Sequence, residues 1–283
     1  MPLVRLLSSA TNRHIISGHA NACGLDLQVL RTTTGDNPQH DVLITMFCQP
    51  QPFVRVAVFN QALGHVRPGR PGGNSRAVTT ARRWLRAQPD PLVALQGAAA
   101  ELCRPDVPFG DRPSTTVAWV DVLGVAGRLR ALSAGRCADA QVAQIRGGRL
   151  SQLLRAPAST SQAETEWDLV KDAALPLLSW RRRNVRRRHA RTASTDGHSF
   201  LNLDLGAAPQ PQPELCGQHD LQALSAADAI VVSTDSLGLP DSQDSFDIAA
   251  HIEALLDSQP PPGPGQPHSN VAAAVIRPAP APS

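Results

Sequence analysis

The sequence predicts an α+β sandwich, antiparallel sheets covered by helices, and three observations carry that prediction. Short strand-like runs recur along the chain, several of them alternating with period two or wholly apolar. Amphipathic helical segments fall in blocks between groups of runs, not after every run as a doubly wound βαβ fold requires. The composition, 42% hydrophobic and 18% charged over 283 residues, is that of a globular chain able to bury a substantial core.

The strand-like runs cover residues 41–48 (DVLITMFC), 115–123 (TTVAWVDVL), 128–134 (RLRALSA), 140–146 (AQVAQIR), 200–205 (FLNLDL), 229–234 (AIVVST) and 271–277 (VAAAVIR). The third and fourth, with a short turn-like gap between them, predict a meander. Residues 75–87 gather Ala77, Val78, Ala81, Trp84 and Leu85 on one helical face. Residues 91–103 follow as a second helix with Pro91 in its first turn. Residues 162–178 form a third, and 245–257 a fourth with Phe246, Ile248, Ala249, Ile252 and Leu255 as its apolar stripe. The Pro- and Gly-rich stretches 68–73, 207–218 and 259–267 are loops. No repeat or long polar linker divides the chain.

Charge and cysteine usage exclude several classes. Net charge is +3, too small by itself to imply a nucleic-acid partner. Of the 27 basic residues Lys171 is the one lysine, and Tyr is absent, a bias that points to a high-GC bacterial genome. The five cysteines (Cys23, Cys48, Cys103, Cys137, Cys216) are odd in number and form no CxxC, so they predict neither a disulfide framework nor a zinc knuckle. The apolar part of MPLVRLLSSATNRH is too short for a signal peptide, and no run approaches the ~20 apolar residues that span a bilayer. These features predict a soluble, cytoplasmic protein without a membrane partner.

GxGxxG, Walker, GxSxG and HExxH motifs are absent, and no two of the nine histidines stand three or four residues apart. One stretch carries chemistry. Residues 229–239 (AIVVSTDSLGL) place Asp235 at the end of an apolar strand, where a carboxylate either caps the following turn or belongs to a metal site.

Read with STTVAWVDVLGVAGRLRALSAGRCADAQVAQIRGGRL before it and HSNVAAAVIR after it, this stretch resembles the PPM-type (type 2C) metal-dependent protein serine/threonine phosphatases. The resemblance runs over roughly residues 15–278 and lies in the order and spacing of motifs, none of which is intact. It implies a four-layer αββα sandwich, two mostly antiparallel sheets flanked by helices. It also implies a single domain over residues 1–278, with 279–283 a disordered tail. In that family two Mg²⁺ or Mn²⁺ ions on carboxylate oxygens hold a bridging water and clamp the phosphoryl group, while an Arg steadies the phosphate.

The resemblance places those parts as follows. The family's Gly-x-x-Arg-x-x-Asn-Glu-Asp falls without a gap on residues 18–26, with Asn21 at the Arg position, Leu25 at the metal-binding Glu and Asp26 at the second acid. The metal-bridging Asp-Gly falls on Phe47 and Cys48, the Gly-Asp-Ser-Arg turn keeps Asp139, Ser-Asp-Gly keeps Asp235, and the final Asp-Asn falls on Ser269 and Asn270. Leu25, Phe47 and Ser269 offer no charged oxygen. The implied protein is therefore a pseudophosphatase with no metal cofactor, a regulatory module for a phosphoprotein or kinase-type partner. The alternative is an active Mg- or Mn-dependent phosphatase with a rearranged site around Asp26, Asp139 and Asp235, or with ligands among Asp36, Asp41, Asp121 and Asp241.

Residues 181–191 (RRRNVRRRHAR) hold seven arginines in eleven positions. Arg181, Arg182, Arg183, Arg186, Arg187 and Arg188 form either a solvated loop face or a surface for a phosphorylated or acidic protein partner. Nucleic-acid binding is the weaker alternative, because beyond Trp180 no aromatic residue interleaves the run.

Overall fold

The computed structural model describes residues 3–8, 13–22, 24–34, 40–48, 52–61, 73–103, 113–125, 128–137, 140–154, 205, 213–216, 224–225, 228–234, 237–240, 242–258 and 271–279. The elements in order are β1 (Leu3–Ser8), β2 (Arg13–Ala22), β3 (Leu25–Thr34), β4 (His40–Phe47), β5 (Phe53–Gln61), α1 (Gly73–Ala87), α2 (Pro91–Leu102), β6 (Thr115–Val125) and β7 (Arg128–Cys137). They continue with β8 (Gln141–Arg146), β9 (Arg149–Gln152), β10 (Glu214–Leu215), β11 (Ala229–Ser233), β12 (Ser242–Gln243), α3 (Ile248–Ser258) and β13 (Ala272–Pro278). Two antiparallel sheets form, one ordered β1-β2-β3-β13-β11-β8-β9-β12 and the other β10-β7-β6-β5-β4. The expected α+β sandwich of antiparallel sheets is what the chain adopts.

Period-two alternation sorts side chains into three apolar layers. Val54, Val56 and Val58 of β5, Ala118, Val120 and Val122 of β6, and Ile230 and Val232 of β11 face one another between the sheets, together with Leu25 and Leu27 of β3. On the outer face of the smaller sheet, Ala57, Phe59, Val117 and Trp119 meet Ala81 and Leu85 of α1 and Leu95 and Ala98 of α2. On the outer face of the larger sheet, Val231, Ala273 and Val275 meet Ile248 of α3, with Ile252 and Leu255 packed alongside. Helices thus cover both sheets, α1 and α2 on one and α3 on the other.

One buried charge organises the helical side. Arg55 of β5 is fully buried and faces the helices between Phe53 and Ala57. All five of its N–H donors are taken. Nε donates to Asp121 Oδ1 (2.7 Å) and Nη2 to Asp121 Oδ2 (2.9 Å). Nη1 donates to the carbonyls of Leu85 (3.1 Å) and Gln88 (2.7 Å), and Nη2 also to that of Pro89. Leu85 belongs to the last turn of α1, whose carbonyls have no intrahelical donor, so the guanidinium caps the helix and carries the favoured sign of charge there. Ser133 of β7 donates to Asp121 Oδ2 (2.8 Å). Phe47 and Phe53 stack at 4.8 Å, with the guanidinium carbon 5.0 Å from the Phe47 ring centre.

A second carboxylate pins the β8–β9 hairpin. Gly147 and Gly148 adopt φ of 55° and 79°, which the tight turn requires. Asp228, just before β11, accepts from Gly147 N (2.9 Å) and from the backbone (2.8 Å) and hydroxyl (2.8 Å) of Ser225. Burial by itself raises the Asp228 pKa, but these donors and the nearby Arg146 charge outweigh it and hold the carboxyl below its ordinary 3.8.

Three expectations need correction or fall elsewhere. The predicted meander of residues 128–146 does not form, because β7 pairs with β6 in one sheet while β8 pairs with β11 and β9 in the other. The link between them crosses the sandwich. The last helix starts at Ile248, not at residue 245: Ser245 has φ 54°, and Asp247 Oδ1 accepts from Ala249 N (2.9 Å) as its cap. The strands β1, β2, β3, β5, β10 and β12 were not anticipated, and β10 falls within the expected loop 207–218. The third predicted helix, the arginine run and all of 200–205 except Leu205 lie outside the described residues. At the far end of the described chain, Ala279 N donates to Gly24 O (2.8 Å).

Two stability measurements follow. Arg55→Met leaves Asp121 buried and unpaired, so urea denaturation is expected to show a loss of about 3–5 kcal/mol. A loss no larger than that of an exposed ion pair, about 0–1 kcal/mol, would contradict the network's role. For Asp228, a folded pKa below the unfolded value means that its contribution is complete above pH 3.8 and fades as pH falls through the folded value. The stability gap between wild type and Asp228→Asn should be flat from about pH 7 to 5 and shrink below about pH 4.

Candidate functional site

Strand register brings one set of chain segments to the same end of the sandwich. In the larger sheet Arg31 pairs with Ala272, Ser233 with Ala273 and Ser233 with Gln141. The finish of β3, the start of β13, the finish of β11 and the start of β8 therefore coincide. In the smaller sheet His40 pairs with Asn60, Asn60 with Thr116 and Val117 with Cys137, which gathers the start of β4, the finish of β5, the start of β6 and the finish of β7. Arg31 Nη1 lies 3.7 Å from Asp41 Oδ1 and ties the two sheets at this end. At the opposite end the Gly24 turn lies against Gly124, so the sheets run in alignment.

On the inner faces at the Arg31 end the core residues are Ala118, Ala140, Ala272 and Ala274 together with Val58, Val142 and Val232. The opposite end is filled by Leu25, Leu27, Val54, Val122 and Leu129. By alternation, Arg31, Asn60, Thr116 and Thr234 occupy the inner face above the alanines. Thr234 Oγ1 accepts from Ala272 N (3.2 Å), and Thr115 Oγ1 donates to Asn60 O (2.7 Å), fixing these strand ends. Arg136 of β7 is buried and ion-paired with Glu214 (2.7 Å), while its Nη1 donates to Ala140 O (3.4 Å) where the chain changes sheets.

The sequence-derived site residues divide between the two ends. Asp139, Asp235, Ser269 and Asn270 lie outside the described residues, as do Arg181, Arg182, Arg183, Arg186, Arg187 and Arg188. Ala140, Thr234 and Val271, their described chain neighbours, are all at the Arg31 end. Asp26 is not. It pairs with Asn21 on one side and Arg277 on the other, five residues along β3 from Arg31, or about 16 Å at 3.3 Å per residue. Metal–ligand bonds of about 2.0–2.6 Å exclude a shared ion across that gap.

The degenerate positions need the same correction. Leu25 is buried in the inter-sheet core at the Gly24 end, and Asn21 belongs to the same hairpin. Phe47 faces the helices, stacked on Phe53, and Cys48 follows it at the surface. None of these four lines the Arg31 end. The gap-free match to residues 18–26 preserved spacing but not direction, since an antiparallel partner sends residue 26 to the far end of the sheet.

Of the substitute ligands, Asp121 is held by Arg55 and Ser133, and Asp41 accepts from Arg82 Nη1 (2.7 Å) and Val42 N (2.9 Å) beside Arg31. Asp36 and Asp241 lie outside the described residues. Hard divalent cations need several carboxylate oxygens. The described residues at this end supply two carboxylates, Asp41 and Glu214, each already paired with arginine, together with an amide and hydroxyls, and by themselves they do not make up a two-cation centre. Among the described residues no three of His, Cys, Asp and Glu come together as a metal-binding group.

Arg31, Asn60 and Thr116 escaped the sequence reading. A signal for Asn60 was present in FVRVAVFN, where period-two alternation runs up to the amide. Arg31 had none, because QVLRTTT carries no alternation that marks its inner face. If the Gly24 end takes no part in ion binding, Asp26→Asn should leave any Mn²⁺-induced change in Tm unaltered. A thermal-shift series in Mn²⁺ and EDTA checks this, and a Mn²⁺ response abolished by Asp26→Asn would contradict the placement.

No family model and no curated protein matches the sequence. Solved structures do match. A serine/threonine phosphatase of S. agalactiae is 14% identical with a TM-score of 0.52, over 89% of this chain and 99% of that one. A bacterial serine phosphatase is 9% identical with a TM-score of 0.50, over 91% and 98%. In both cases nearly the whole of each chain takes part. The chain has the fold of the PPM-type serine/threonine phosphatases.

Proposed function

We propose that the protein is a phosphatase-like regulatory module that has lost two-metal hydrolysis, a pseudophosphatase whose partner is a phosphoprotein or a protein kinase of a bacterial cytoplasm. The observation that carries this is the state of Asp41. It is one of two described carboxylates at the Arg31 end, both held by arginine: Asp41 by Arg82 at 2.7 Å with Arg31 at 3.7 Å, and Glu214 by Arg136 at 2.7 Å. A guanidinium already neutralising a carboxylate opposes a divalent cation there by like-charge repulsion. The neighbouring strand, β5, reaches the same end with Asn60, an amide that offers a neutral oxygen in place of a charged one.

One observation favours the active alternative. Ala140 and Thr234 extend the paired Gln141 and Ser233 by one residue each, which draws the chain next to Asp139 and Asp235 together. Two carboxylates one residue beyond that pair in sequence would be the beginning of a metal site, though two short of a full set.

Hydrolysis of a phosphothreonine peptide in Mn²⁺ and in EDTA separates the two, with Asp235→Ala as the control for contaminating phosphatase. The expected result is no turnover above that of the variant in either buffer. Turnover that needs both Mn²⁺ and Asp235 would establish the enzyme and overturn the pseudophosphatase.

A further inference from the structure

The helices on the two outer faces of the sandwich differ in sign of charge. Helix α1 carries Arg76, Arg82, Arg83 and Arg86, all exposed, and no acidic residue. Arg82 is held by Asp41 and Arg83 by Glu101, while Arg76 and Arg86 pair with no carboxylate among the described residues. Arg86 stands four residues from Arg82 and three from Arg83, spacings at which like charges on a helix repel. Arg55 already occupies the carbonyls at that helix end, so Arg86 is surplus positive charge there. Beside α1, the exposed residues of α2 carry no charge: Val93, 46% exposed, Gln96 and Ala100 lie on one side of the helix.

Helix α3, on the outer face of the other sheet, contains no Lys or Arg. Over residues 248–255 its exposed side chains are Ala249, Ala250, Glu253 and Ala254, and the exposed Asp247 caps its start. Its histidine, His251, is half-buried against the Leu237 carbonyl (2.9 Å). Glu253 pairs with no cation among the described residues.

We infer that the α1–α2 face docks the α3 face of a second copy of this chain. Charge complementarity selects that occupant: a cationic face with an uncharged strip meets an anionic face with small uncharged residues. The lengths agree, since α3 with 11 residues and α2 with 12 extend about 16 Å and 18 Å at 1.5 Å per residue. With α3 laid along α2, its alanines cover Val93, Gln96 and Ala100, and its carboxylates face the arginines of α1. The two faces lie on opposite sides of the sandwich, so the contact is head-to-tail and each bound copy leaves one face free for the next. A nucleic acid matches this surface less well. The cations are confined to α1, and the Trp84 indole is half-buried with its Nε1 donated to Glu101 (3.0 Å), which leaves no stacking platform. The inference draws nothing from the proposed loss of hydrolysis.

Sedimentation velocity over a protein concentration series, at low and at high salt, tests this. Mean mass should rise with concentration and fall with added salt. Arg86→Glu and Glu253→Arg should each lower the association constant about tenfold or more. Arg76→Glu should weaken association too without lowering Tm, because an acid near the start of α1 suits the helix dipole, which separates a lost contact from a damaged helix. The sharpest arm mixes the Arg86→Glu and Glu253→Arg proteins. The intact α1 face of the second then meets the intact α3 face of the first, and dimers that grow no further are expected. Wild type that stays monomeric at every concentration, whether or not DNA or an acidic peptide binds at α1, would overturn the inference. So would undiminished association of either variant alone, which a face pairing with its own kind would give, or a mixture that stays monomeric.

Discussion

The helical half of the molecule depends on a single buried cation. Arg55 sits where β5 would otherwise continue as an apolar strand, and removing it from water would be prohibitive without compensation. Compensation is complete: two carboxylate oxygens of Asp121 and three backbone carbonyls accept its five N–H groups. Those carbonyls lie at the end of α1 and in the turn before α2. One side chain therefore sets where α1 stops, how the helix pair sits on β5 and β6, and, through Ser133, how β7 joins them. Asp121 is committed to this task, which removes it from any catalytic role.

The inter-sheet core shows a different constraint. Leucines and valines fill the Gly24 end, while alanines and valines, all buried, fill the Arg31 end. Register then decides which residues stand at which end. Because β3 and β13 are antiparallel, a shift of five residues along β3 changes a position at the Arg31 end into one at the Gly24 end.

Much of the fold was legible in the sequence. The strands β4, β6, β7, β8, β11 and β13 and the helices α1 and α2 follow from alternation, apolar runs and the Asp90–Pro91 start. What stayed hidden had physical reasons. β5 carries an arginine inside its apolar run, and only the tertiary partners of Arg55 make that acceptable in a strand. β2 and β3 mix His, Gly, Asn, Arg and Thr in ways that blur their period. The expected meander failed because a local rule for neighbouring strands says nothing about a chain that changes sheets between them.

The candidate site was less legible than the fold. Ala140 and Thr234, next in sequence to Asp139 and Asp235, stand at the Arg31 end, but Asp26, Leu25 and Phe47 were matched by spacing alone, and spacing is blind to strand direction. The central claim, the proposed loss of two-metal hydrolysis, is that the Arg31 end of this sandwich, with its described carboxylates committed to arginines, does not hold divalent cations. Titration of Mn²⁺ into the isotopically labelled protein, followed by paramagnetic broadening of backbone amide signals, tests it most directly. The account predicts no selective broadening at Ala140, Gln141, Ser233 and Thr234 at submillimolar Mn²⁺. Selective loss of those four signals at low Mn²⁺ would place a cation at this end and contradict the account.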